Sequence, residues 1–433
     1  MSLSLDNPEN LKRDISSSGL SALVLNGLIG AGIFALPSAV ASRTGEFSPF
    51  MYIICGLMVL PVVLSFSEAA RFFDGTGGPV LYAKTAFGSI VGFQTGWLLY
   101  IGRVTALAAN SNKLVDYAAL LWPWLGEGVG RTLTIVAIFL LFAAVNVVGV
   151  RRGAEATNLL TILKLTPLLL FIGFGISYIR PAQLVAFSPP SYDSVADTML
   201  LVVYAFVGFE GAVVPAGEAR APKNDMPRAL LVTLGFTTCL YVLVQTVCVA
   251  VLPGLAETKT PLADVARVMT GQAGTWIMTC AAIASIAGNL SAIVLTAPRM
   301  TYAMAQDNAL PAWFGSTHKR YKTPAGSILF LAALGLALAV SGTFVLLAIM
   351  STLTRMLGYM VCLAAVPGIK KAFSRGGVIR PGWRSFLIPG SGFLLCLWLA
   401  AYANLYAWLM TGAFVGLGFV LYATSRRASV GGA

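Results

Sequence analysis

The sequence predicts an all-α integral membrane protein with twelve transmembrane helices, and three observations predict it. Of 433 residues, 57% are hydrophobic and only 11% are charged, whereas a soluble chain carries about a quarter charged residues. The apolar residues gather into runs of roughly 20, the length a helix needs to cross a bilayer. None of these runs shows the strict alternation of a barrel strand.

Taken in order, the first run, 18–41, is interrupted by glycines in GLIGAGIFALP (27–37), and the second, 48–70, ends near Glu68 and Arg71. The third, 88–120, carries Arg103 and Lys113. The fourth, 131–149, and the fifth, 156–179, flank the basic pair Arg151 and Arg152, and the fifth holds Lys164. The sixth, 195–216, contains YAFVGFEGAVVP (204–215), and the seventh is 229–252. The eighth is 274–304. The ninth, 325–342, and tenth, 344–367, meet in a tight hairpin at Ser341, Gly342 and Thr343. The eleventh, 386–405, and twelfth, 407–424, complete the set. The chain thus divides into a cytoplasmic N-terminal segment (1–17), a first set of five (18–179), a second set of five (195–367), a closing pair (386–424) and a cytoplasmic tail (425–433).

The net charge of +12 is explained by orientation rather than by nucleic acid. With the N-terminus inside, the cytoplasmic segments hold 19 of the 29 Lys and Arg residues. The outer loops hold five, Arg43, Arg131, Arg180, Lys259 and Arg267. Positive loops stay inside, so both termini are expected to be cytoplasmic. Residues 1–15 are polar, and no cleavable leader is expected. The compact loops and short tails point to a bacterial inner membrane. The six cysteines, Cys55, Cys239, Cys248, Cys280, Cys362 and Cys396, all lie in apolar runs without CxxC spacing. They read as buried apolar residues rather than disulfides. The single histidine, His318, sits in a basic loop, so neither a metal site nor a cofactor is expected. An enzyme would need a nucleophile–base pair or a ligand cluster that this chain does not offer.

Backbone groups in a bilayer must be paired within the protein, so a helix is broken only where it lines a polar cavity. The first segment breaks at Gly30, Ala31 and Gly32, and the sixth is irregular where Gly208 and Gly211 flank an intramembrane Glu210. Interrupted helices at corresponding places in two halves point to a transporter binding site. Each is the first of five, and because five is odd the second set enters from the opposite face, an inverted repeat. Past the first break, the amides of Ala31, Gly32, Ile33 and Phe34 open a half-helix whose positive end can hold an anion. Carbonyls at Ile29 and around Val207, Gly208 and Phe209 offer acceptors for an ammonium. Together these describe a zwitterionic α-amino acid. The competing reading is that the glycines only permit close helix packing.

Four stretches resemble the amino acid–polyamine–organocation superfamily. They are GLIGAGIFALP, FSEAARFFDGTGGPVLYAKTAFG (66–88), AFVGFEGAVVPAGEARAPKNDMPRAL (205–230) and RMTYAMAQDNALP (299–311). The resemblance covers nearly the whole chain. It implies a LeuT-like core of five plus five helices in inverted repeat, with helices 1 and 6 broken and two peripheral helices. It also implies alternating access around a central amino acid site.

Ionisable groups inside membrane segments are expensive and mark function. Lys164 lies about two turns into the fifth segment, and a lysine reaching back to the interface is its plainer reading. Similar permeases carry a lysine in this helix facing the unwound part of helix 1. There its ammonium stands where sodium-coupled relatives of the fold hold a sodium ion. Gain and loss of a proton on that amine would bias the open and closed states. Glu210 matches a glutamate associated with the proton response in arginine–agmatine antiporters, and helix capping is its alternative. Arg103 is open between a pair with Glu210 or Asp116 and a contact to an acidic substrate side chain; Arg355 raises the same question. Asn289 and Ser291 are candidates for the pocket, as are Tyr204 and Phe206.

The expected function is proton-coupled uptake of a small or medium neutral amino acid, with proton, amino acid and lipid bilayer as the partners. Those antiporters carry a tryptophan in helix 8 where this chain has Ile293, which argues against a guanidinium specialist. An amino acid exchanger, or a permease for polyamines or cationic amino acids, is the alternative, although polyamines would leave the anion site empty. A membrane sensor that binds an amino acid without moving it is the alternative of a different class.

Overall fold

The computed structural model describes residues 17–73, 78–148, 154–179, 190–213, 222–373 and 383–430, and every regular element among them is helical. The first apolar run folds as two helices, α1 (Ser17–Leu28) and α2 (Gly32–Thr44), with Ile29, Gly30 and Ala31 between them. It is followed by α3 (Ser48–Ala70), a short α4 (Gly78–Phe87), α5 (Ser89–Ala118), α6 (Gly128–Val148) and α7 (Ala154–Ile176). The sixth run also divides, into α8 (Tyr192–Val203) and the single turn α9 (Glu210–Val213). Then come α10 (Pro222–Val251), α11 (Pro261–Gln306), α12 (Ala325–Ser341), α13 (Phe344–Phe373), α14 (Arg384–Ala401) and α15 (Leu405–Val430).

Local chemistry sets the helix ends. Pro49 and Pro261 stand in the first turns of α3 and α11, where a missing N–H costs nothing. Ser191 caps α8, its hydroxyl accepting from the Ser194 amide at 3.3 Å. Within α11 the backbone leaves helical geometry at Thr270 and Gly271 (φ +67°), so a short leading helix precedes the long apolar one. Only Gly342 and Thr343 separate α12 from α13, and the Gly342 amide closes the turn on Leu338 O at 2.9 Å.

Gly128–Val148, Asp225–Val251, Phe344–Phe373 and Leu405–Arg427 are each long and apolar enough to cross a bilayer. The share of each crossing segment that is buried inside the protein sorts these helices. It is 67% for α13 but 17% for α6, so α13 is an inner helix and α6 an outer one. Leu133, Leu140 and Leu141 of α6 accordingly face outward, as a lipid-facing surface requires. Inside, α5 runs against α13 and α11, α3 packs on α10, and α1 is held between α10 and α7. The two interrupted segments lie at the centre of this arrangement.

Candidate functional site

The two breaks touch each other through glycine. A Cβ at Gly27 would stand 2.7 Å from the Gly208 carbonyl oxygen, and one at Gly208 would strike the Gly27 carbonyl. Gly208 also sits at φ +119°, a conformation that disfavours any side chain. Close packing is therefore the task of Gly27 and Gly208. Gly30 is crowded by Asn289, whose Nδ2 would lie 3.0 Å from a Cβ there, and Gly32 by the Ala205 backbone at 3.3 Å. Tyr241 of α10 ties the breaks together: its hydroxyl lies 3.0 Å from Leu28 O and 3.1 Å from Ala205 O.

The interruption at the first break frees amides. Gly30 N–H donates to Leu28 O at 3.0 Å and Phe34 N–H to Ala31 O at 3.1 Å. Among the described residues, the amides of Ala31, Gly32 and Ile33 donate to no backbone carbonyl outside regular helix bonds, as the first turn of a helix dictates. The free set is three amides rather than the four expected, because Phe34 is already paired. On the other side of the break, Lys164 is 5% exposed and its Nζ donates to Ile29 O at 3.2 Å. The lysine thus caps the carbonyl end of α1 rather than reaching for the interface.

Glu210 is held by three donors, one from the second break and two from α13. The Gly208 amide donates to Oε2 at 2.8 Å, the Tyr359 hydroxyl to the same oxygen at 2.6 Å, and Arg355 Nε to Oε1 at 3.1 Å. Arg355 also donates to the Ser351 hydroxyl, which in turn donates to Gly102 O at 2.7 Å. Arg355, not Arg103, makes the ion pair with Glu210. Asp116 is occupied as well, by Lys113 at 3.0 Å and Arg131 at 2.8 Å. Arg103 instead donates through Nη1 to Thr296 Oγ1 at 3.0 Å, and its Nε is buried without a partner.

These groups line one cavity of about 250 Å³. Its wall includes Gly30, Ala31 and Gly32 of the first break, Tyr204, Val207 and Gly208 of the second, and the charged groups Lys164, Arg103, Glu210 and Arg355. Asn289 borders it too, accepting from Asn110 Nδ2 at 2.8 Å, while the Tyr204 hydroxyl donates to Asn110 Oδ1 at 2.6 Å. The cavity runs along Leu23 and Asn26 before the first break, and along Leu295 and Thr296 beyond Asn289. It therefore extends toward the end of the bundle where α1 begins and α11 ends, and Thr296 at its rim is exposed. The opposite side is closed. There the Tyr117 hydroxyl donates to Phe34 O at 2.8 Å, the Tyr204 ring meets Phe344 edge-on at 5.8 Å, and Lys113 lies 5.2 Å from the Phe344 ring centre.

Several expected side chains lie elsewhere. Phe206 is fully buried against Tyr241, and Phe209 against Phe66 and Tyr359. Tyr204, Val207, Gly208 and Gly211 line the cavity, and the two phenylalanines do not. Neither Ile29 nor Ile33 lines the cavity; Ile29 is tied to it only through Lys164, which holds its carbonyl. Ser291 is half-buried and away from it. Asn110, Tyr241, Tyr359 and Thr296 were not singled out by the sequence. Polar residues in a membrane helix commonly bond the carbonyl one turn back, and nothing in their spacing marks these four as different.

Comparisons with known proteins place the chain as a whole. The family model described as amino acid permease matches residues 15–425. An uncharacterized transporter of Mycobacterium tuberculosis is 28% identical over 437 residues, covering 97% of this chain and 93% of that protein. A branched-chain amino acid permease of Bacillus subtilis is 24% identical over 453 residues (97% and 95%), and a methylthioribose transporter of the same organism 26% over 436 residues (96% and 93%).

Proposed function

The chain belongs to the amino acid permease family, and from that premise we propose that it is a proton-coupled secondary transporter of amino acids working by alternating access. Membership makes it a multi-pass membrane transporter and not an enzyme. The remainder is our reading of the site. One observation carries it: Ala31 and Gly32, whose amides are free, line the same cavity as Lys164, whose amine holds the carbonyl of Ile29. The amides, at the positive end of α2, receive the substrate carboxylate. The carbonyls of the unwound segments, that of the wall residue Val207 among them, receive its amine. Lys164 gives up and regains a proton; the neutral amine still donates but loses the charge that strengthens its bond to Ile29, the link between α7 and the first break. Weakening of that bond loosens α1 from α7, and so couples proton movement to opening.

The reading includes twelve crossings with both termini inside a bacterial inner membrane, and two sets of five in inverted repeat. The paired breaks and the basic loops support it. In that frame the cavity is open to the cytoplasm. For the side chain, Ala106, Ala292 and Ile293 on the wall and the branched-chain permease among the relatives support a neutral substrate, as the sequence suggests. Arg103 on the same wall favours an acidic one.

Purified protein in liposomes tests the reading. An inward pH gradient without sodium is expected to drive accumulation of at least one radiolabelled amino acid. Accumulation that follows a sodium gradient and ignores pH would overturn the proton coupling. Counterflow without net accumulation would make the protein an exchanger, and binding without any flux a sensor.

A further inference from the structure

We propose that Arg103 selects the side chain of the substrate, and that the side chain it selects bears a carboxylate: the preferred substrate is a dicarboxylic α-amino acid. The inference rests on the transporter reading above and narrows it. Three cations line the cavity, Lys164, Arg103 and Arg355, against the one carboxylate of Glu210. Glu210 is committed to Arg355, Tyr359 and the Gly208 amide. Two cations remain, and they are not equivalent. A lysine can shed its charge by releasing a proton, but a guanidinium stays charged in proteins.

Arg103 is therefore a permanent charge at membrane depth. Among the described residues no carboxylate forms an ion pair with it; its partner is the neutral hydroxyl of Thr296, and its Nε has none. Such a charge is costly unless a ligand or pathway uses it. The surrounding sequence makes room for it. A Cβ at Gly211 would stand 2.6 Å from Arg103 Nη2, so the glycine after Glu210 leaves the space that the guanidinium fills. Gly211 lies three residues beyond Gly208, where the breaks cross, which sets the guanidinium beside the substrate position. On α5, Arg103, Ala106 and Asn110 share one face, and all three border the cavity. Asn110 reaches Asn289 next to Gly30, so one helix face runs from the first break to the arginine.

A zwitterion with a neutral side chain brings no net charge to this wall. A dicarboxylic amino acid brings one extra negative charge, and a carboxylate matches the planar fork of a guanidinium.

The test is uptake of radiolabelled L-glutamate by the wild-type protein in liposomes, with L-aspartate, L-glutamine and L-leucine as competitors. Glutamate and aspartate are expected to compete strongly, and glutamine and leucine weakly. In Arg103→Met, glutamate affinity should fall about 10- to 100-fold, the loss of one charge-assisted contact, and the preference for glutamate over glutamine should collapse. Arg103→Lys should recover part of it. If wild-type protein takes up glutamine or leucine and ignores glutamate, the assignment is overturned and the transporter reading stands. The same holds if Arg103→Met keeps its glutamate affinity. If no amino acid accumulates, exchanges or binds, both are overturned. Competition in the wild type decides the matter even if the variants fail to fold.

Discussion

Lys164 donates to Ile29 O at 3.2 Å, and the proposed coupling runs through that bond. Alanine there removes the titrating group but leaves the three amides of α2 in place. Lys164→Ala should therefore keep amino acid binding, measured by calorimetry, while accumulation driven by a pH gradient is lost. Loss of binding together with transport would make the lysine structural. Gly208 is tested differently, because it carries both a positive φ and backbone contact with Gly27. Gly208→Ala should cost about 1–3 kcal/mol from overpacking alone, with strain added, and lower the thermal midpoint sharply. Gly412→Ala in α15, where a Cβ meets nothing within 4 Å, should leave the midpoint unchanged or raise it.

At the scale of elements, α9 is a single turn and owes its position to Glu210. The carboxylate is 2% exposed and its partner Arg355 is 5% exposed, so α9 is tied to α13 by a buried ion pair. Removing one partner of such a pair costs about 3–5 kcal/mol because the other charge stays buried alone. Glu210→Gln should show that loss, and pairing it with Arg355→Met should restore part of the stability. Equal stability of single and double variants would contradict the pairing. The breaks themselves were legible in the sequence, since glycines and an acid inside apolar runs oppose every local preference of a membrane helix. The destination of each side chain was less so. Phe206 and Phe209 lie in the same stretch as Tyr204 and Val207, and only the turn of the backbone sends them to Tyr241 and Phe66 instead of the cavity. Arg355 and Arg103 were equal candidates for Glu210 until packing placed α13 and α5 around it.

At the scale of the whole molecule, the cavity reaches exposed Thr296 on one side and is sealed by Tyr204, Phe344 and Tyr117 on the other. A cysteine at Thr296 should react with a membrane-impermeant thiol reagent from the cytoplasmic side only, in a background lacking the exposed Cys239 and Cys280. Labelling from the outside alone would reverse the orientation read from the basic loops. That orientation is an expectation drawn from charge counts that add over many loops, and the labelling tests it. The direction in which the cavity opens was not legible in the sequence, because it depends on how α1 and α11 lean on their neighbours.

The central claim is that the amides of Ala31 and Gly32 hold the substrate's α-carboxylate. The most direct measurement is competition between a transported amino acid and its analogue lacking only that carboxylate. Two charge-assisted hydrogen bonds contribute about 3–6 kcal/mol, so the analogue should bind at least about 100-fold more weakly. An analogue that competes as well as the amino acid itself would contradict the account.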